Sequence, residues 1–365
     1  MDGKTPLVSV AMVVCNVERF LAEAIESVLN QTFRDFEFII VDFGSTDASP
    51  AIVKSYQAKD DRIQFHVIPH CNLSEARNDC CFRARGKYLA LLDADDVALP
   101  DRLASQVEYL ESHPEIGILG GANDLVDESG RWLGTVAWPE NDRELRKTLL
   151  NSSPFCASTV TMRLDAFLVV GGYRRAFADT AEDYDLWQRI VERCQGVKLD
   201  EVFVRYRLHP GQIGARRLRQ LSLGQCVARA SGMMRRQGKL DPVDSADSIT
   251  PELLTELSVS EEDVENTLLA SYSTRVLNSL RASNGSSVLP LVDEMLKVLA
   301  ESKFVRGQVA AETWFAAARV YWHRGSVTKA CEAMTRAVLL HPLLVTQIPL
   351  RGIPRMARRV MQPTG

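Results

Sequence analysis

Three carboxylates stand together in Lys87-Tyr-Leu-Ala-Leu-Leu-Asp93-Ala-Asp95-Asp96-Val-Ala-Leu-Pro100. They follow an apolar run of strand length, and a proline with an acidic residue behind it then opens a helix. Carboxylates at the carboxyl end of a buried strand lie where open α/β sheets bind ligands, and they can hold a hard divalent cation whose shell substrate phosphates complete. A solvated acidic turn is the plainer alternative for the same residues. Glu182-Asp183 opens a second helix, where two acids read by default as first-turn residues complementing the helix dipole. His209 follows the extended run Val197–Leu208, and a lone histidine after a strand is more often structural.

The elements that must position these groups alternate along the first half of the chain. Leu7–Cys15 reads as a buried strand, and Arg19–Gln31, apolar at positions 20, 21, 24, 25, 28 and 29, as a helix. Phe36–Val41 is the next strand, and Asp42-Phe-Gly-Ser-Thr-Asp47 supplies a glycine turn and cap residues before a helix over Ala48–Lys59. Arg62–Ile68 is a third strand, Ser74–Arg85 a helix capped by Ser74, and Lys87–Leu92 a fourth strand. Strands and helices alternating at this length imply βαβ units and a mainly parallel sheet flanked by helices on both faces. A helix from Pro100 to about His113, a short strand at Ile116–Leu119, a hairpin turn at Asp127-Glu-Ser-Gly130 and a strand at Ala157–Met162 continue the pattern. Glu182–Cys194 is a helix in which Trp187 reads as core.

Beyond Ala215 the pattern becomes helical. Residues 215–240 carry seven Lys/Arg and no acid, and residues 241–265 nine Asp/Glu and no base, an asymmetry that marks a boundary. The expected division is 1–214 as an α/β domain, 215–250 as a basic helix and acidic linker, and 251–365 as an all-α region. Within the last, Trp314, Ala317, Ala318, Tyr321, Gly325, Ala330, Met334, Ala337 and Pro342 have spacing that resembles one tetratricopeptide repeat, a candidate protein-interaction module; an unrelated helical hairpin is the alternative. Residues 351–365 carry four Arg and no acid. This composition suits contact with an anionic membrane surface as well as it suits a solvated helix end.

The 365 residues, 46% apolar and 25% charged, describe a globular protein of two or three domains, and a net charge of −4 argues against general nucleic-acid binding. No apolar run of about 18 residues is present, and the N-terminus lacks the basic-then-apolar order of a signal peptide. A cytoplasmic protein, peripheral to the membrane if the tail docks, is expected. The eight cysteines show no Cys-x-x-Cys pair, so reduced thiols are expected.

Taken in order, Val8-Ser-Val, Asn16-Val-Glu18, Ser27-Val-Leu-Asn-Gln-Thr-Phe33, Ile40-Val-Asp42-Phe-Gly-Ser-Thr-Asp47, Ala76-Arg77-Asn78, Asp93-Ala-Asp95-Asp96, Gly171-Gly-Tyr173 and Glu182-Asp183-Tyr-Asp-Leu-Trp187 resemble the family 2 glycosyltransferases. Those are inverting enzymes of the GT-A fold that use nucleotide-sugar donors. The resemblance runs over roughly residues 7–214. It implies Asp95 as a ligand of Mn²⁺ or Mg²⁺, with Asp93 facing the ribose or the outer coordination sphere of the ion. His209 matches a position that reaches the metal or diphosphate, and Asp183 the general base. Asn16, Asp42, Phe43 and Arg77 fall with Asp93 at the nucleotide-sugar pocket. The donor implied by default is a UDP-sugar, and the acceptor a glycan or lipid-linked glycan of a cell-surface polysaccharide.

The chain departs from the family pattern in nucleotide recognition. Family members commonly read Val-Asp-Asp-Gly-Ser, and the second acid accepts a hydrogen bond from the base; here that position is Phe43, which can stack on a base or be buried but cannot accept its N–H. Two other readings compete. A sugar nucleotidyltransferase would carry a Gly-rich, basic phosphate loop after the first strand, and Val14-Cys-Asn-Val-Glu18 has neither feature. A catalytically idle scaffold acting through its helical region would have no need of Asp93, Asp95, Asp183 and His209 together.

Overall fold

The computed structural model describes residues 5–178, 180–209, 211–212, 217–282, 288–302, 304–305 and 307–341. The basic tail at 351–365 and Pro342 lie outside the described residues. The chain divides into two compact units, Met1–Val259 and Ser260–Gly365.

The first unit is built on a nine-stranded sheet ordered β3-β2-β1-β4-β8-β6-β9-β5, with β7 paired to β6. Its parallel half comprises β1 (Val8–Val14), β2 (Phe36–Asp42), β3 (Ile63–Val67) and β4 (Tyr88–Leu91). Their sequences are almost continuously apolar because helices cover both faces. Side chains alternate between two cores: Phe38 and Ile40 of β2 pack with Val8, Val10 and Tyr88 on one face, Ile39 and Val41 with Ala11, Leu89 and Leu91 on the other. The linking helices are α1 (Glu18–Leu29), α2 (Ser49–Gln57) and α3 (Leu73–Phe82). In α1 the expected stripe is the buried one: Phe20, Leu21, Ala24, Ile25 and Val28.

Beyond β4 the sheet becomes mixed. β8 (Thr161–Arg163) runs antiparallel to β4, β6 (Ile116–Val126) antiparallel to β8, β9 (Gln195–Arg207) parallel to β6, and the two-residue β5 (Val97–Ala98) antiparallel to β9. β7 (Trp132–Val136) closes the expected hairpin against β6. This half contains the departures from local expectation. β6 continues seven residues past Leu119, because its later part pairs with β9 and β7. Ala157–Thr159 is a 3-10 turn ahead of β8, not strand. The cap of α3 is Asn72, whose side chain accepts from Glu75 N at 2.9 Å; the Ser74 hydroxyl instead donates to Ala178 O at 2.8 Å.

Helix α4 is Arg102–Ser112, α5 Asp142–Thr148, α6 Leu164–Val169 and α7 Glu182–Val191. Trp187 of α7 is fully buried, edge-on to Phe155. The helix Leu218–Arg236 and the short helix Pro251–Glu256 belong to this first unit, where Val227, Ala228, Leu253 and Leu257 join Leu186, Trp187 and Ile190 in one core. The second unit holds helices Glu261–Ala282, Val288–Glu301, Gln308–His323 and Val327–Leu340. Ala311 and Ala337 are both fully buried where the last two meet, and Arg336 lies 4.6 Å over the Trp314 ring. Among the described residues no helix is long and apolar enough to cross a membrane.

Candidate active site

The acidic loop after β4 is shaped by one serine and one strand from far along the chain. Ser158, in the turn before β8, accepts from Asp93 N at 3.1 Å and donates to Asp96 Oδ2 at 2.5 Å. The other Asp96 oxygen accepts from Arg207 N at 2.9 Å, and Asp96 is wholly buried. Burial pushes its carboxyl well above the usual carboxylate range, with Asp95 and Asp93 adding to the shift. Asp96 thus serves the turn and faces inward, whereas Asp93 and Asp95 are partly exposed.

Asp95 meets His209. Its Oδ2 lies 2.9 Å from His209 Nε2, and the imidazole is held against the Phe20 ring with centroids 4.8 Å apart. The residue that brings them together is Arg207, which local reading of the sequence does not single out. Its Nε donates to Asp95 O at 3.0 Å and its Nη2 to Glu23 Oε2 at 2.6 Å, while its guanidinium lies 4.8 Å over Phe20. An arginine ending a strand is the one local signal, since the Asp95 and Glu23 that it reaches lie 112 and 184 residues away in sequence.

Asp93 is tied to the second acid pair through Arg77 of α3. Arg77 Nη2 donates to Asp93 Oδ1 at 3.1 Å, and Nη1 is 3.0 Å from Glu182 Oε1. Glu182 begins α7 and is almost wholly buried; its burial raises its pKa to about 8, against the pull of Arg77. Asp183, beside it, is partly exposed. Burial raises its pKa as well, while Arg77 and the backbone N–H groups of Tyr184 and Asp183 oppose that shift. The Asp183 carboxylate accepts from Tyr184 N at 2.7 Å. A small cavity of about 20 Å³, room for one water, is bounded by Arg77, Asp93, Tyr173, Val13 and Cys81 among others.

The remaining candidates cluster where β1 and β2 end in register, Val14 opposite Asp42. Asp42 Oδ1 accepts from Gly44 N at 3.1 Å and Ser45 N at 3.0 Å; its buried Oδ2 has no hydrogen-bond partner among the described residues. Gly44 has φ +108°, and a Cβ there would lie 2.9 Å from His70 Nδ1, so the turn requires glycine. Asn16, at φ +53°, accepts through Oδ1 from Thr46 N at 2.8 Å and from the Thr46 hydroxyl at 3.1 Å, joining the two turns. Phe43 is buried against Leu73 and Ala76, with His70 stacked beside it at 6.4 Å. The candidates therefore form two groups: Asp93, Asp95, Arg77, Asp183 and His209 around the β4 loop, and Asn16, Asp42 and Phe43 at the β1–β2 turns. Val13 borders both the cavity and the Phe43 cluster.

Among the described residues no group of three or more His, Cys, Asp or Glu side chains is placed to hold a metal ion. Asp95 and His209 offer one carboxylate and one imidazole. Such a two-ligand set fits Mn²⁺ or Mg²⁺, which take one or two protein groups and draw the rest of the shell from phosphate and water.

Comparison with known proteins places the chain. The family model described as "Glycosyl transferase family 2" matches residues 9–170, a span that includes Asn16, Asp42, Arg77, Asp93 and Asp95 and ends before Asp183 and His209. The chain is 36% identical over 210 residues to the putative glycosyltransferase EpsE of Bacillus subtilis, covering 55% of this chain and 73% of that protein. It is 31% identical over 207 residues to the O-antigen biosynthesis glycosyltransferase WbnJ of Escherichia coli, covering 56% of this chain and 80% of that one. Among solved structures, S. aureus TarS 1-349 in complex with UDP-GlcNAc matches 90% of both chains with a TM-score of 0.50 at 15% identity, a likeness of fold.

Proposed function

The chain belongs to glycosyl transferase family 2 and is a glycosyltransferase of GT-A architecture, and we propose that it transfers one sugar, with inversion, from a nucleoside diphosphate donor to a hydroxyl of a growing surface glycan or lipid-linked acceptor. The observation that carries this reading is the approach of two acidic groups to one another: Asp93 and Asp95 at the end of β4, and Asp183 at the start of α7 beside Glu182, which Arg77 ties to Asp93. Asp183 takes the proton of the acceptor hydroxyl as its oxygen forms a bond to the anomeric carbon. The bond from that carbon to the diphosphate oxygen breaks on the opposite face, and its electron pair leaves with the nucleotide. A raised pKa suits a carboxylate base at neutral pH, since proton transfer is most effective when the pKa lies near the working pH.

Asp95 and His209 would hold Mn²⁺ or Mg²⁺, whose chemistry is Lewis-acid stabilisation of the departing diphosphate. Asp93, fixed by Arg77, faces the ribose side, and the buried Asp42 oxygen that lacks a partner supports a polar ligand at the β1–β2 turns. The donor we favour is a UDP-sugar. TarS was crystallised with UDP-GlcNAc and WbnJ is named for O-antigen biosynthesis, which agree with this donor and this acceptor class. The test is a thermal-shift panel of UDP, GDP and dTDP with and without Mn²⁺, followed by donor turnover in the wild type and Asp95→Ala. Metal-dependent stabilisation by UDP alone supports the reading; stabilisation by GDP alone removes the uridine donor, and turnover that survives both chelation and Asp95→Ala removes the metal site.

A further inference from the structure

We infer that Arg77 is a positioning residue that bridges the donor side and the acceptor side of the crevice, and that it does not touch the nucleotide. The inference rests on the reading of Asp183 as the base. One arm of the guanidinium hydrogen-bonds Asp93 at 3.1 Å, the other is ion-paired with Glu182 at 3.0 Å without a hydrogen bond, and the side chain is 13% exposed. Its guanidinium carbon lies 5.7 Å from the centroid of the Tyr173 ring.

Tyr173 is itself clamped to the helix that carries Arg77. Asn78 accepts from Tyr173 N at 2.8 Å and donates to Tyr173 O at 2.7 Å. The preceding Gly172, at φ +74°, lies so close that a Cβ would sit 2.5 Å from Asn78 Oδ1. The same helix is held to the approach to α7 by Ser74, which bonds Ala178 O. Arg77 is thus the charged centre of a rigid seam between α3, the β4 loop and the start of α7. A planar, two-armed cation holds two carboxylates at a fixed separation, which a lysine point charge does not.

The same charge acts on Asp183. Among the described residues, the groups that act electrostatically on Asp183 include Arg77, Glu182, Asp93, Tyr173 and Cys156, and Arg77 is the cation of that set. Without it, three acidic side chains would share the seam with no counter-charge, and Asp183 would hold its proton to higher pH. The nucleotide would still meet Asp42 and the Asp95–His209 pair.

The experiment compares Arg77→Lys, Arg77→Met and the double variant Arg77→Met/Glu182→Gln, which leaves one fewer buried acid uncompensated; all are checked for folding by circular dichroism and melting. Binding of whichever of UDP, GDP and dTDP binds the wild type is measured by calorimetry with Mn²⁺, alongside kcat and the pH–rate profile. We expect the nucleotide Kd to change by less than about fivefold while kcat falls by roughly a hundredfold, with the acid limb of the profile moved up in the Met variants and little displaced in Arg77→Lys. Should the Met variants fail to fold, Arg77→Lys decides by the same split between Kd and kcat. A Kd weakened tenfold or more with an unmoved acid limb would overturn the inference and make Arg77 a nucleotide contact; an unchanged kcat would overturn it as well. Asp183→Asn is run in parallel. Parental turnover in that variant removes the base reading and this inference together, whereas its loss beside a silent Arg77 series removes the inference alone.

Discussion

Asp95 Oδ2 and His209 Nε2 meet at 2.9 Å, although 114 residues separate them in the chain. The contact exists because β9 runs beside β6 and ends level with the β4 loop, where Arg207 fastens its last turn to Asp95 O. Two groups of different chemistry, a carboxylate and an imidazole, are thereby set side by side.

Removing either partner should be read through the metal. Asp95→Ala is expected to abolish measurable donor turnover. His209→Ala is expected to weaken the apparent affinity for Mn²⁺ by about 10- to 100-fold, as loss of a metal-supporting group commonly does. Mn²⁺ titration of turnover checks both; a His209→Ala enzyme with wild-type Mn²⁺ dependence would leave the histidine a purely structural role.

Asp183→Asn keeps the shape of the acid and removes its basicity. We expect kcat to fall by about 10²- to 10⁴-fold while nucleotide binding stays within a few-fold of wild type. Steady-state kinetics with calorimetric nucleotide binding separates the two quantities.

Glu182 gives a pH signature in stability. Its folded pKa, about 8, lies above the ordinary value of 4.5, so between those two limits the folded chain binds more protons than the unfolded one. Stability from this group is present in full at low pH and declines as pH rises through that window, with a slope of at most about 1.4 kcal/mol per pH unit. Denaturant unfolding at pH 5, 6.5 and 8 should show the decline, and Glu182→Gln should flatten it.

Asp185, two residues after Asp183, has a different task. It is wholly buried, and although burial opposes its ionisation, Arg189 and Arg174 hold its carboxyl below the usual range. Arg174 also reaches Asp241 at 2.7 Å, which Arg235 meets at 2.6 Å, so the network pins α7 to the helix Leu218–Arg236. Asp185→Ala leaves the buried Arg189 without its counter-charge and takes one carboxylate from Arg174, and should cost about 3–5 kcal/mol in chemical unfolding. A loss below about 1 kcal/mol would show that the network contributes little.

The sequence by itself determined the parallel half of the sheet, the helical stripe of α1, the turn chemistry at Asp42–Asp47 and the placement of Asp93 and Asp95 at a strand end. These follow from short-range rules: period and turn preference are legible over a few residues. It also gave the family, through motifs spread over many segments. What it left open were choices of partner. Asp96 and Asp95 are chemically equal in the chain, but only the fold brings Ser158 and Arg207 N against the former and His209 against the latter. Phe43 could stack on a base or be buried until α3 brought Leu73 and Ala76 over it. The carboxylates that Arg77 meets, Asp93 and Glu182, are likewise set only by the tertiary structure. β6 outran its expected length because pairing with β7 and β9, not local propensity, decides where an interior strand ends. A side chain's partner is chosen by which strands are neighbours, and that is settled only when the whole sheet has formed.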